Sequence, residues 1–159
     1  MKKTYFVSCQ FLGSNGLLRE ENFFLDEVEI ILDNEDVQCL GILASQYLID
    51  VRNPSLFELS HLKETFKIIS FCIVHTKEYQ IPWDQIMALN CSSIYKEIFQ
   101  RLFRVNNTPM NRGELIGGVF NRLQSANQIL KLSGIPYSIR PIEGYRGDAW
   151  KRHYRLVPR

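Results

Sequence analysis

The chain has 159 residues, 45% of them hydrophobic and 23% charged, with a net charge of +2. That size and composition suit a folded protein with one good core or two small ones, and exclude a disordered, low-complexity or repeat architecture. The charge is divided unevenly: residues 1–92 hold seven Lys and Arg against thirteen Asp and Glu, whereas residues 93–159 hold twelve against four, the asymmetry of a protein in which one part meets a polyanion.

The first segment, "KKTYFVSCQF", is rich in aromatic and β-branched residues, and its alternation places Tyr5, Val7, Cys9 and Phe11 on one face of a strand and Thr4, Phe6, Ser8 and Gln10 on the other. Ser8, Gln10 and Gly13 interrupt it, so no signal peptide is expected there. No run approaches the ~18 apolar residues of a membrane helix, so a soluble protein without membrane contact is expected. Asn15-Gly16 signals a hairpin, because both residues tolerate positive φ, and "LLREENFFLDEVEIIL" should return as one strand or two. Asp33-Asn34 caps a helix over "EDVQCLGILASQYLIDV" that Asn53-Pro54-Ser55 ends. "TFKIISFCIVH" at 65–75 reads as a buried strand. Residues 1–79 are thus an acidic α+β unit of hairpin, helix and strand, expected to form a homodimer or to contact a protein partner. An exposed strand edge in this half would be a natural dimer interface.

Pro82 and Trp83 break that strand, a short helix is expected at 84–89, and residues 80–92 read as a junction. "IYKEIFQRLFRV" places Ile94, Ile98, Leu102 and Val105, with Tyr95 and Phe99, on one face of a helix over 93–105. Asn111 with Glu114 makes a capping-box pattern that opens a short helix near Arg112. "NRLQSANQILKLSGIP" gives a third helix with Leu123, Ala126, Ile129, Leu130 and Leu132 as its apolar set, a second possible cap at Ser125 and Gln128, Gly134 as the C′ residue and Pro136 as the stop. "YSIRPI" and "WKRHYRLV" read as two strands joined by "EGYRGDA".

The polar face of the third helix offers Arg122, Gln124, Ser125, Asn127, Gln128 and Lys131, side chains that suit base edges and phosphates. No acid occurs between residues 115 and 142, which an ordinary solvated face rarely shows. Arg140, Arg146, Lys151, Arg152 and Arg155 extend the cationic set through the hairpin, with Arg146 at its glycine-bracketed tip and Trp150, Tyr154 and Leu156 expected to pin it to the core. Helix, short helix, helix and hairpin with a basic tip is the order of a winged helix-turn-helix over residues 93–159.

Residues 93–159 resemble the winged-helix effector domain of bacterial two-component response regulators and related transcriptional activators. Arg112 and Leu115 match the R-x-x-L that opens the second helix in that family, and "HYRLVP" approximates its closing G-Y-x-L strand, with His153 in place of glycine. The acidic half does not look like a receiver domain, so the resemblance implies the fold type and not the regulatory mechanism. It implies a third helix in the major groove with the wing beside it.

The function expected on these grounds is sequence-specific binding of double-stranded DNA by a transcriptional regulator of bacterial, phage or plasmid type. The alternative is an inhibitor or adaptor whose basic face docks on an acidic protein. RNA binding through stacked Tyr145, Trp150 and Tyr154 is set aside because at least two of those rings are needed for packing. No enzyme is expected: Cys72 and His75 fall on opposite faces of a strand, and Glu143, Asp148 and Lys151, the one conceivable metal-nuclease set, flank a turn where acids are commonplace. No metal or other cofactor is expected. Cys9, Cys39, Cys72 and Cys91 form no C-x-x-C pair and lie at no ligand spacing to a histidine, so reduced thiols in a cytoplasmic protein are expected.

Overall fold

The computed structural model describes residues 2–26, 37–52, 56–117, 121–142 and 152–159. It is a mixed α and β structure of two compact units, Met1–Thr76 and Lys77–Arg159. The stretch 80–92, read from the sequence as a junction, therefore lies inside the second unit.

In the first unit, β1 (Lys2–Leu12) and β2 (Leu18–Asp26) form an antiparallel hairpin whose loop holds Gly16 at a φ of 78°. Two helices follow, α1 (Val37–Arg52) and α2 (Leu56–Thr65), and β3 (Lys67–Thr76) then pairs antiparallel with β1, giving the order β2-β1-β3. The expected alternation holds. Tyr5, Val7, Cys9 and Phe11 join Phe23, Leu25, Leu40, Ala44, Leu48 and Leu62 in one buried cluster, while Phe6 packs on Phe24 across the opposite face with ring centroids 4.8 Å apart. The sequence reading missed α2. "LFELSHLKET" has only a weak apolar stripe, and what settles it is Leu62, buried against the sheet, and Thr65, whose Oγ1 donates to His61 O at 2.6 Å and accepts from Leu12 N at 2.7 Å. The cap at Asp33-Asn34, the breaker at 53–55 and residues 27–32 of the expected returning strand lie outside the described residues.

The second unit runs α3 (Trp83–Met87), α4 (Ser93–Arg104), β4 (Met110–Asn111), α5 (Arg112–Ile116), α6 (Asn121–Leu132), β5 (Tyr137–Pro141) and β6 (His153–Pro158), with the antiparallel sheet order β4-β6-β5. Its core is built from Ile86, Ile98, Phe99, Leu102, Met110, Leu115, Ile116, Ala126, Leu130, Ile139 and Leu156, all buried. The apolar stripe of α4 is the best-formed part of the reading, although Ile94 at its start is exposed. Two further expectations change. α6 is continuous from Asn121, so Ser125 lies inside a helix and caps nothing; Leu132, assigned to the apolar set, is 78% exposed. The two-residue β4 was not foreseen, since so short a strand leaves no periodicity.

The helix ends explain the connections. α4 closes on Asn106 and Asn107, both left-handed at φ 50° and 58°, with Asn107 N donating to Leu102 O at 2.8 Å. α6 closes in a Schellman motif: Ile135 N donates to Leu130 O at 3.0 Å and Gly134 N to Lys131 O at 3.1 Å, with Gly134 at φ 73° and Ile135 buried. α5 is too short to stabilise itself and is held at both ends. Asn111 Oδ1 accepts from Gly113 N at 2.9 Å, as the capping pattern predicts. At the other end Arg101 Nη1 donates to the carbonyls of Glu114 and Leu115 at 3.0 and 3.1 Å, and Arg122 Nη1 to that of Ile116 at 3.3 Å.

Candidate nucleic-acid interface

The residues assigned to a binding face from the sequence do not all share one place. Gln124, Gln128 and Lys131 are exposed and follow one another along α6 at helical spacing. With Asn127, Arg140 and Ser138 they line an open groove of about 530 Å³, which Arg112, Leu123, Tyr154 and Arg159 complete. Among the described residues, four cationic side chains and no Asp or Glu side chain line this groove. The acid-free run in the sequence is thereby turned into a concave positive surface, where field lines from several charges add.

Tertiary contacts orient the rim. Arg140 Nε donates to Ser138 Oγ at 2.9 Å across two positions of β5. Arg159 extends the sheet, its N donating to Pro136 O at 3.0 Å, while its Nε reaches Tyr137 O at 3.3 Å. Arg112 N donates to Arg152 O at 2.7 Å, which ties the start of α5 to β6 and brings the Arg112 side chain to the groove. Arg112, Tyr154 and Arg159 were not on the predicted list of binding residues. Arg112 entered the sequence reading only as a helix-opening residue, and no local signal places Arg159 beside α6.

Asn127 has a different role from the one expected. Its amide is fully engaged with β5: Nδ2 donates to Ile139 O at 3.0 Å and Oδ1 accepts from Ile139 N at 2.6 Å. Asn107 makes the same pair of bonds with Leu156, at 2.9 and 2.8 Å. Ile139 and Leu156 stand opposite each other across β5 and β6, so each asparagine takes the backbone groups that point away from that pair. Asn127 closes the outer edge of the sheet, a structural duty that removes its amide from base reading. An asparagine at a half-buried position inside a helix was the available hint, because its poor helix propensity calls for a compensating bond.

Arg155, expected on DNA, also serves the fold. Its Nη1 donates to Lys77 O at 2.9 Å and its guanidinium lies over the Tyr79 ring, 5.0 Å from the centroid. Tyr137 Oη donates to Gln80 O at 3.0 Å, so residues 77–80 are clasped to β5 and β6. Arg155→Ala is expected to speed trypsin cleavage after Lys77 by about fivefold, corresponding to the ~1 kcal/mol of an exposed charge-assisted bond and cation–π contact. A time course on a gel reads it, and unchanged cleavage would show that the clasp does not hold the segment. Arg122 is engaged with α5 and Ser125 is not part of the groove. Arg152 is exposed, and Arg146, Trp150 and Lys151 lie outside the described residues.

The sheet register pairs Cys72 with Phe6 and His75 with Lys3, which puts them on opposite faces, and partial burial pushes the Cys72 thiol up, away from thiolate at neutral pH. Among the described residues no three His, Cys, Asp or Glu side chains gather to hold a metal ion, and no helix is long and apolar enough to cross a membrane. Glu143 and Asp148 lie outside the described residues. No protein-family model, no curated protein and no solved structure matches the chain.

Proposed function

We propose that the second unit is a winged helix-turn-helix domain that binds double-stranded DNA, and that the protein is a sequence-specific transcriptional regulator of bacterial, phage or plasmid type acting in the cytoplasm without a cofactor. The observation that carries this reading is the groove bordered by Arg112, Lys131, Arg140 and Arg159, with no Asp or Glu side chain among the described residues that line it. A phosphate backbone supplies the matching charge, and release of its counterions would provide most of the affinity. The element order is consistent with the reading. With α4, β4, α5, α6, β5 and β6 in that order and β4-β6-β5 in the sheet, α6 would be the helix offered to the major groove.

Within this reading the readers are fewer than the sequence proposed. Gln124 and Gln128 remain for base edges, where an amide pairs with adenine N6 and N7; Lys131, Arg140 and Arg112 serve phosphates, and Arg159, whose Nε and Nη2 donate to Tyr137 O and Asn127 O, adds its charge to the rim. Fluorescence anisotropy of the full-length protein against pooled duplex fragments at several salt concentrations tests it. Binding that weakens linearly in log K against log salt, with a slope of about −3 for three phosphate contacts, and a preference among fragments are expected. No binding at low salt overturns the reading.

A further inference from the structure

β3 is an edge strand: among the described residues it pairs with β1 alone. An edge presents a row of backbone N–H and C=O groups to any strand that comes alongside, and proteins guard such edges with charge, proline or short length. The opposite edge of this sheet, β2, is guarded by Arg19, Glu20 and Glu21 in its first half and by Asp26 at its end. β3 is not. It is ten residues long, and the stretch from Ile68 to Val74 contains neither a charge nor a proline. Ile69 and Ile73 are 50% and 45% exposed, and Ser70 and Cys72 between them are exposed as well. Ile69 is the extra residue of a register shift, since Ser8 pairs with Ser70 and Cys9 with Ile68, and a bulge of this kind re-aims the side chain it carries.

We infer that β3 pairs antiparallel with β3 of a second copy, about a twofold axis at Phe71, joining the two sheets into one. The strand is complementary to itself in that register. Ile69 meets Ile73 of the second copy, Ile73 meets its Ile69, and Phe71 meets Phe71 at the axis, so the exposed apolar side chains cover one another in directly opposed pairs. Lys67 comes opposite His75 of the second copy only at the two rims, where water and salt screen them. A twofold interface repeats each contact, which doubles the gain from one short strand. The argument uses the first unit alone, so it does not rest on the reading of the second as a DNA-binding domain, and either can fail without the other.

Sedimentation velocity of the full-length protein from about 1 to about 100 µM tests the inference by mass action. A concentration-dependent dimer is expected, with self-association weakened at least tenfold in Ile73→Lys. That variant alters a side chain already half exposed, and an unchanged far-UV circular dichroism spectrum will show that it still folds. The register has its own test in a Cys72→Ser chain carrying Ile69→Cys and Ile73→Cys, because the native Cys72 thiol is itself exposed on this strand. Positions four apart on one strand are ~13 Å apart and cannot bridge within a chain, so mild oxidation is expected to give a cross-linked dimer on a non-reducing gel. A wild-type protein that stays monomeric through this range, a dimer that Ile73→Lys leaves intact, or a dimer that never cross-links overturns the inference.

Discussion

Replacing Lys131 and Arg140 together by alanine is expected to weaken binding to duplex DNA by about tenfold to a hundredfold near 0.15 M salt, and to flatten the dependence of log K on log salt by about two units. Both side chains are exposed at the groove that gathers Arg112 and Arg159. Losing them removes two of the proposed phosphate contacts without emptying any buried space, so stability should change by less than about 0.5 kcal/mol. The loss should be the same for every DNA sequence, because phosphate contacts carry no sequence information. Gln124→Ala and Gln128→Ala should act in the opposite way, with smaller losses of affinity that fall on preferred sequences alone. Arg155→Ala is the internal control: its guanidinium is engaged with Lys77 and Tyr79, and DNA affinity should stay within about threefold of the wild type. If Arg155→Ala proves as damaging as the double variant, the groove has been drawn in the wrong place.

The second large effect concerns the two asparagines. Asn127→Ala is expected to destabilise the second unit by about 2–3 kcal/mol, and Asn107→Ala by about 3–4 kcal/mol. In each case an N–H and a C=O of a strand lose their partners at a part-buried position, Ile139 for Asn127 and Leu156 for Asn107. Asn107 carries the additional cost because its φ of 58° lies where alanine is strained and asparagine is tolerated. Asn127→Asp should recover little, since a carboxylate can still accept from Ile139 N but meets the Ile139 carbonyl with negative charge. Urea unfolding followed by circular dichroism measures all three. A stable Asn127→Ala protein that had lost discrimination among DNA sequences would falsify the structural assignment and return Asn127 to the set of base readers.

These two predictions divide the candidate site between what composition can announce and what it cannot. The acid-free run and the cationic tail were legible because charge needs no partner to be counted. Gln124, Gln128, Lys131 and Arg140 were legible for the same reason, since a polar side chain on the outer face of an amphipathic helix or at a strand end faces solvent by default. Arg122, Asn127 and Arg155 look identical to these in the sequence, yet each is engaged with a backbone carbonyl far along the chain or on another element. Arg112 and Arg159 reach the groove only because β4 and the end of β6 are paired where they are.

The strands of the hairpin, α4, the cap of α5, the stop of α6, and the acidic and basic division of the chain were legible in the sequence. Periodicity, turn residues and net charge are local properties, and each segment carries its own. Only the closing of the chain decided that α2 is a helix, that β4 exists, which cations border a groove and which hold the fold together, and that β3, among the described residues, pairs on one side alone. Those outcomes depend on partners brought together by the closing of the chain. A hydrogen bond between a side chain and a distant carbonyl has no periodicity, and an edge strand has the same sequence as an inner one until the sheet order is known.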